Sequence, residues 1–351
     1  MKTPDLPNQK QTPANRPVTN PQRVQELLAR AGLDWFLLAL IGMIGLAYLW
    51  PTPGIQEGPL SLKGLANYGV SLIFFFYGLR LSPEKLRAGL GNWRLHLVIQ
   101  FSTFLLFPLL VLPWRGLVAG QNSELLWLGT FYLAALPSTV SSSVVMVGIA
   151  GGNLPGAIFN ASISSLAGIF LTPLWMGLFL TASSEGFDLG QVMGKLVVQV
   201  LVPVVGGILL HRYWGAFAER HRTRLRVFDQ SIILLIVYTS FADSFAREMF
   251  RGFSLLHLVG LSALMVVFFF LVYGIIHGVS RLLGFNREDR ITALFCGSKK
   301  SLVHGTVMSK VLFPDANVVG IILLPIMLYH ALQLLTVSAI AQAMARRAKG
   351  E

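Results

Sequence analysis

Ten stretches of the sequence stay apolar over roughly the 20 residues that a helix needs to cross a bilayer core. They fall near 34–50, 64–81, 94–113, 124–150, 154–181, 189–211, 228–246, 253–283, 288–312 and 316–345. What remains suffices for short loops and tails, so no large soluble domain fits. The expected fold is an all-α polytopic membrane protein. Only 13% of the residues are charged, against about 25% in soluble proteins, which excludes an ordinary cytosolic enzyme and a disordered chain. A net charge of +12 would suit a nucleic-acid binder if the basic residues shared one exposed face. Here they are divided among the gaps between apolar runs. Of the 28 Lys and Arg, 20 fall on one side of the ten spans. Four (Lys63, Arg115, Arg247, Arg251) fall on the other, and four (Lys195, Lys299, Lys300, Lys310) lie within spans. Basic loops stay in the cytoplasm. The bias therefore places both termini there, in a plasma (bacterial inner) membrane, and requires an even number of spans. Residues 1–33 read as a polar tail followed by an amphipathic surface helix from Pro21 to Leu33, and 346–351 as a basic tail. The single cysteine, Cys296, excludes a disulfide within the chain and a Cys-based zinc site.

Two spans are interrupted. The fourth contains Leu136-Pro137-Ser138-Thr139-Val140-Ser141-Ser142-Ser143, and the ninth contains Phe295-Cys296-Gly297-Ser298-Lys299-Lys300-Ser301. Pro137 removes a backbone donor and Gly297 weakens the helix. A broken helix at membrane depth exposes N–H and C=O groups, which are tolerated only inside protein or beside a water-filled cavity. The fourth of spans one to five corresponds to the ninth, which is the fourth of spans six to ten. Five is odd, so the second half enters from the opposite side. The expected domains are therefore two inverted five-helix repeats, 34–181 and 189–345. Paired broken helices in such repeats point to the midplane site of a secondary transporter.

These segments resemble the bile acid:sodium symporter family, in particular its divergent orphan branch shared by bacteria and eukaryotes. The likeness runs from Asp34 to Met344. It is carried by Asp34-Trp35-Phe36, Leu95 to Gln100, Pro137 to Val144, Gly151-Gly152-Asn153, Ala157 to Asn160 and Tyr238 to Asp243, and most closely by Lys300-Ser301-Leu302 and Leu324 to His330. The resemblance implies a panel domain (spans 1, 2, 6 and 7) and a core domain (spans 3–5 and 8–10), with the fourth and ninth spans crossing at their breaks. It also implies two sodium sites at that crossing. By position, the family's Ser-Ser-Asn stretch falls on Ser141, Ser142 and Ser143, so a serine replaces the asparagine. The fifth-span ligands fall near Asn160, Ser162 and Ser164. The expected glutamate falls at Phe295 and the expected glutamine at Lys299.

Candidate site residues follow. Ser142, Ser143 and Asn160 are the candidate sodium ligands. Lys299 and Lys300 stand where a charge costs at least ~2.5–3.5 kcal/mol on insertion scales. Either ammonium can replace a sodium ion, hold an organic anion or carry a proton; the bland alternative is a lysine that snorkels or makes a structural salt bridge. Ser298 and Ser301 flank them. Asp243 is a candidate partner for these lysines, or else an interfacial carboxylate at the outer surface. Asn160 and Ser164 share a helix face turned to the fourth-span break, and Gln100 lines the site or caps a broken helix. His304 and His330 can titrate or simply pack. The sequence thus points to an alternating-access carrier of an organic anion, sodium-independent or at most weakly sodium-stimulated because lysines stand at the ninth-span crossing, with a proton as the other candidate coupling ion, no other cofactor and the lipid bilayer as surroundings. The alternative is a non-transporting membrane regulator of ion homeostasis. A Ser–Lys hydrolase built on the serine cluster is the weakest reading, since small hydroxyls at a helix break more often serve the freed backbone.

Overall fold

The structure is a computed structural model that describes residues 35–81, 91–117, 121–183, 189–248, 254–313 and 316–349. The expected tail and surface helix of 1–33 and the last two residues of the C-terminal tail lie outside the described residues. Those described form helices: α1 (Trp35–Leu49), α2 (Leu62–Arg80), α3 (93–117), α4 (Gln121–Ala135), α5 (Ser141–Ala150), α6 (Leu154–Ser183), α7 (189–220), α8 (Arg222–Ala246), α9 (Leu255–Leu282), α10 (Arg287–Gly297), α11 (Leu302–Leu312) and α12 (Ala316–Lys349). No strand occurs among the described residues.

Seven of these helices are long and apolar enough to cross a membrane: those of spans 2, 3, 5, 6, 7, 8 and 10. The chain is therefore a polytopic membrane protein. The three other stretches expected to span do not meet that length as single helices. α1 has 15 residues, and the fourth and ninth spans are each split, into helices of 15 and 10 and of 11 and 11 residues.

The charge count treats 212–226 as a loop, and the structure corrects this. α7 continues to Arg220 and α8 starts at Arg222, with His221 alone between them. Arg and Glu are good helix formers, so the two helices run on past the apolar region and turn in a basic hairpin. In the same way α12 continues to Lys349, past the expected end at 345.

α8 packs on α1, α2 and the short turn Thr52–Ile55, and α2 packs on both α7 and α8. The α2–α7 contact is backbone to backbone. A side chain on Gly78 would collide with the Val204 carbonyl, and one on Gly207 with the Phe75 carbonyl. Small residues let helices approach this closely where lipid offers no hydrophobic drive for association. The remaining helices form a second group. α12 packs on α4, α5, α9 and α11 and also on α8 of the first group, while α10 packs on α3, α5, α6 and α9. The two interrupted spans lie in this second group.

Candidate functional site

Pro137 ends α4 because it cannot donate and clashes with the preceding turn. α10 starts on the Asn286 cap, which accepts the Asp289 N–H at 2.7 Å, with Glu288 and Asp289 in its first turn, both favourable at a helix N-terminus. It stops at Gly297, and α11 restarts on Ser301, whose Oγ accepts the His304 N–H at 3.3 Å. The backbone groups freed at each break are then taken up across the other break. The Ser301 N–H donates to the Pro137 carbonyl at 2.9 Å. Ser138 Oγ donates to Cys296 O at 2.6 Å, and Ser143 Oγ to Phe295 O at 3.2 Å. The two interruptions therefore meet in direct contact.

Neighbouring side chains satisfy further groups. Gln333 clamps the Lys300 peptide, accepting its N–H and donating to its carbonyl, both at 2.9 Å. The Tyr329 hydroxyl donates to Ser298 O at 2.7 Å, and the Tyr132 hydroxyl to Gly305 O at 2.7 Å. The Ser138 N–H donates to Ser164 Oγ at 2.9 Å. Ser298 Oγ turns back to Leu294 O at 2.6 Å.

Both lysines are fully buried, yet their surroundings differ. Lys300 Nζ donates to three carbonyls: Thr103 O (2.6 Å), Ala134 O (2.7 Å) and Leu136 O (2.8 Å). It also lies 4.1 Å from the centre of the Phe107 ring, a cation–π contact. An ammonium has three donors, and all three are used. The Thr103 carbonyl is available for a reason written in the sequence. α3 relaxes into a π turn over Ser102–Leu106, and Pro108 has no N–H to return to the carbonyls before it. Lys300 takes Thr103 O, and Trp175 Nε1 takes Phe104 O at 2.8 Å.

Lys299 Nζ has one weak bond among the described residues, to Ser142 Oγ at 3.4 Å. Ser142 and Ser143 both bond Thr139 Oγ1, at 2.7 and 3.0 Å. The side chain of Ser141 lies outside the described residues. His304 bonds Ser301 Oγ through Nδ1 at 2.9 Å, while its buried Nε2 has no partner among the described residues. Phe74 and Tyr77 of α2 pack edge-on against its ring, at 5.9 and 6.2 Å between ring centres. His304 thus stands where the two helix groups meet. His330 Nδ1 bonds the Gln333 amide at 2.9 Å.

The three candidate sodium ligands are divided between two sets of bonds. Asn160 donates to Gly156 O (2.8 Å), bonds His96 Nδ1 (2.9 Å) and receives Gln100 Nε2 (3.2 Å), while Ser142 and Ser143 cluster around Thr139. Asp243 is a correction of a different kind. It pairs with Lys63 at 2.8 Å, not with Lys299 or Lys300. Lys63 opens α2 and Asp243 closes α8, so the two meet at the same end of neighbouring helices.

Sequence reasoning missed Thr103, Phe107, Thr139, Tyr329 and Gln333. Gln333, three residues after His330 in an apolar run, carried a legible signal. The π-turn carbonyl did not, because a backbone oxygen has no letter.

Residues 34–346 match the SBF-like CPA transporter family. Over 314 residues the chain is 41% identical to PA2026, an uncharacterized protein of Pseudomonas aeruginosa, covering 90% of this chain and 93% of that one. It is 37% identical over 318 residues to YfeH of Escherichia coli (strain K12), described as a symporter on inference, covering 90% and 94%. Sodium/bile acid cotransporter 7 of Mus musculus is 33% identical over 332 residues, covering 92% and 97%. The chain belongs to the SBF-like CPA transporter family.

Proposed function

We propose that this protein is a secondary transporter that carries an organic anion by alternating access, with Lys299 as the anion's counter-charge and Lys300 as a built-in cation in the place of a coupling sodium. The observation that carries this reading is the contrast between the two ammonium groups. Lys300 has every donor matched by a carbonyl. Lys299, equally buried, has one long bond to a hydroxyl. A buried charge without partners is costly, and an anionic ligand is the partner that removes the cost. The apolar and aromatic side chains around His304 suit an amphipathic anion. The mouse relative's name joins sodium to an organic acid; the acid fits Lys299, whereas the sodium does not.

A sodium ion on Ser142 would lie close to the Lys299 ammonium. Two unit charges ~4 Å apart repel by roughly 4 kcal/mol at an effective dielectric of 20, and Phe295 supplies no carboxylate to offset this. Transport is then sodium-independent, which leaves a proton or the anion's own gradient as the driving force. In this reading the chain crosses the plasma (bacterial inner) membrane ten times as two inverted repeats, 34–181 and 189–345, with both termini in the cytoplasm. α1, α2, α7 and α8 act as the panel, the other helices as the core, and the anion binds between them beside His304.

The test is uptake of labelled amphipathic organic anions into proteoliposomes, in sodium and in choline media. Equal rates in the two media, lost in Lys299→Gln, are expected. A steep sodium requirement that persists in Lys299→Ala overturns the coupling. The absence of flux for every anion tried would favour the non-transporting regulator.

A further inference from the structure

Away from the broken helices, a groove of about 360 Å³ opens between the end of α3, the first turns of α4 and the start of α9, lined by Trp114, Leu126, Trp127, Leu261 and Leu264. This volume lies at the small end of the range for ligand pockets. By helix parity the groove is at the end of the bundle opposite the basic α7–α8 hairpin. Leu256 on its edge is 79% exposed and Leu264 38% exposed, so it opens sideways toward the bilayer.

Its polarity runs in one direction. Ser123 and His257 line the groove in the first turns of α4 and α9, at the level where these helices begin. Deeper down the lining is apolar, and Thr130 turns its hydroxyl to its own helix, donating to Leu126 O at 2.8 Å. From His257 to Leu264 the groove descends roughly 10 Å at 1.5 Å per residue. That is most of one leaflet's hydrocarbon depth, about 15 Å. Trp114 is braced by Phe268 of α9, with ring centres 5.5 Å apart. Arg115 is stacked with its guanidinium 5.4 Å from the Trp127 ring and 5.2 Å from that of Phe179. Stacking occupies the flat face of a guanidinium and leaves its N–H edge for a phosphate. Arg115 and Glu124 do not line the groove but adjoin its lining residues Trp114 and Ser123, and they bring one charge of each sign to that end, which suits a zwitterionic headgroup better than an anionic one.

We infer that this groove holds one acyl chain of an outer-leaflet phospholipid, with its headgroup phosphate on Arg115 and its ammonium toward Glu124. The lipid is retained as part of the folded protein and wedges α9 against α3 and α4. The site is independent of the lysine site, and neither reading depends on the other.

Gly260 supplies the test. It lines the groove, and a Cβ built on it meets no atom within 4 Å. A large side chain there fills the groove without displacing protein. Native mass spectrometry of the purified full chain, titrated with dioleoyl phosphatidylethanolamine or dioleoyl phosphatidylglycerol, reads occupancy directly. The wild type should retain one phosphatidylethanolamine, with at least fivefold preference over phosphatidylglycerol. Gly260→Trp should lose that lipid at least fivefold, and Arg115→Gln should lose the preference. Should Gly260→Trp fold poorly, Gly260→Leu gives the smaller plug. As a second readout, chain-brominated phosphatidylethanolamine should quench wild-type fluorescence more than that of Trp127→Phe. Unchanged occupancy in a plugged variant that melts like the wild type overturns the proposal. So does a dimer mass that disappears on plugging, which would assign the groove to a second copy of the chain.

Discussion

Lys300 and Lys299 are neighbours with opposite economies of bonding. Because Lys300 answers three backbone carbonyls, Lys300→Ala leaves all three buried and unmet, at about 1–3 kcal/mol each. A lower melting temperature is expected. The three oxygens then form a small carbonyl cage of the kind that replaces an alkali ion's hydration shell. Sodium chloride should therefore raise the melting temperature of Lys300→Ala more than choline chloride does, whereas wild type should respond equally to the two salts. Equal responses in the variant would remove the case for Lys300 as a substitute ion. Lys299 is expected to behave in the reverse way. Replacing a buried charge that has one weak partner among the described residues by an apolar side chain is often neutral or stabilising, so Lys299→Met should melt at or above the wild-type temperature without ligand. The same variant should bind an anionic substrate at least tenfold more weakly, about 1.4 kcal/mol. A large loss of stability in Lys299→Met would mark that lysine as structural. Both lysines were visible in the sequence as charges in an apolar run, but their division of labour was not. It depends on which carbonyls lie within 3 Å, and the chain's neighbours decide that through folding.

At the scale of elements, the breaks are stable because each supplies the other's missing partners. Ser138→Ala removes the donor to Cys296 O and should cost about 1–3 kcal/mol, read as a drop in melting temperature. Gln333→Leu removes both halves of the clamp on the Lys300 peptide and should cost more than Ser138→Ala. If it costs less, the clamp is a bystander to the break. Proline, glycine and hydroxyl clusters made these interruptions legible, and the long apolar runs located most of the seven spanning helices to within a few residues. What stayed hidden was the length of helices beyond the bilayer. α7 and α8 carry basic residues up to the single residue His221 between them, and a charge-based reading takes such a stretch for a loop. Ser162 of α6, near the positions that the resemblance assigned to an ion, accepts the Tyr77 hydroxyl on its carbonyl at 3.2 Å. A backbone bond of that kind has no signature in the residue types.

Across the whole molecule, the two helix groups meet where α8 packs on α12, and few polar ties join them among the described residues. Lys310 Nζ of α11 donates to Thr239 Oγ1 of α8 at 3.2 Å, one helical turn before the Lys63–Asp243 pair. A carrier that rocks one group against the other must break the Lys310 tie, while Lys63–Asp243 stays within its own group. Lys310→Met should loosen that junction. In a background whose native cysteine, Cys296, is buried, a Ser240→Cys reporter on α8 should then react several-fold faster with a small thiol reagent. An unchanged rate would show that the tie does not hold the junction closed. The lysine cage has a further consequence on this scale. An ion does osmotic work only when it is picked up on one side and released on the other, and each charge that crosses 100 mV contributes about 2.3 kcal/mol. The Lys300 ammonium is joined to the carrier by covalent bonds and returns with it on every cycle. In the proposed function it stands in for a bound sodium ion without drawing on the sodium gradient. On the proposed reading, a carrier built this way draws no work from sodium, and its accumulation ratio should not change when sodium is removed from either side.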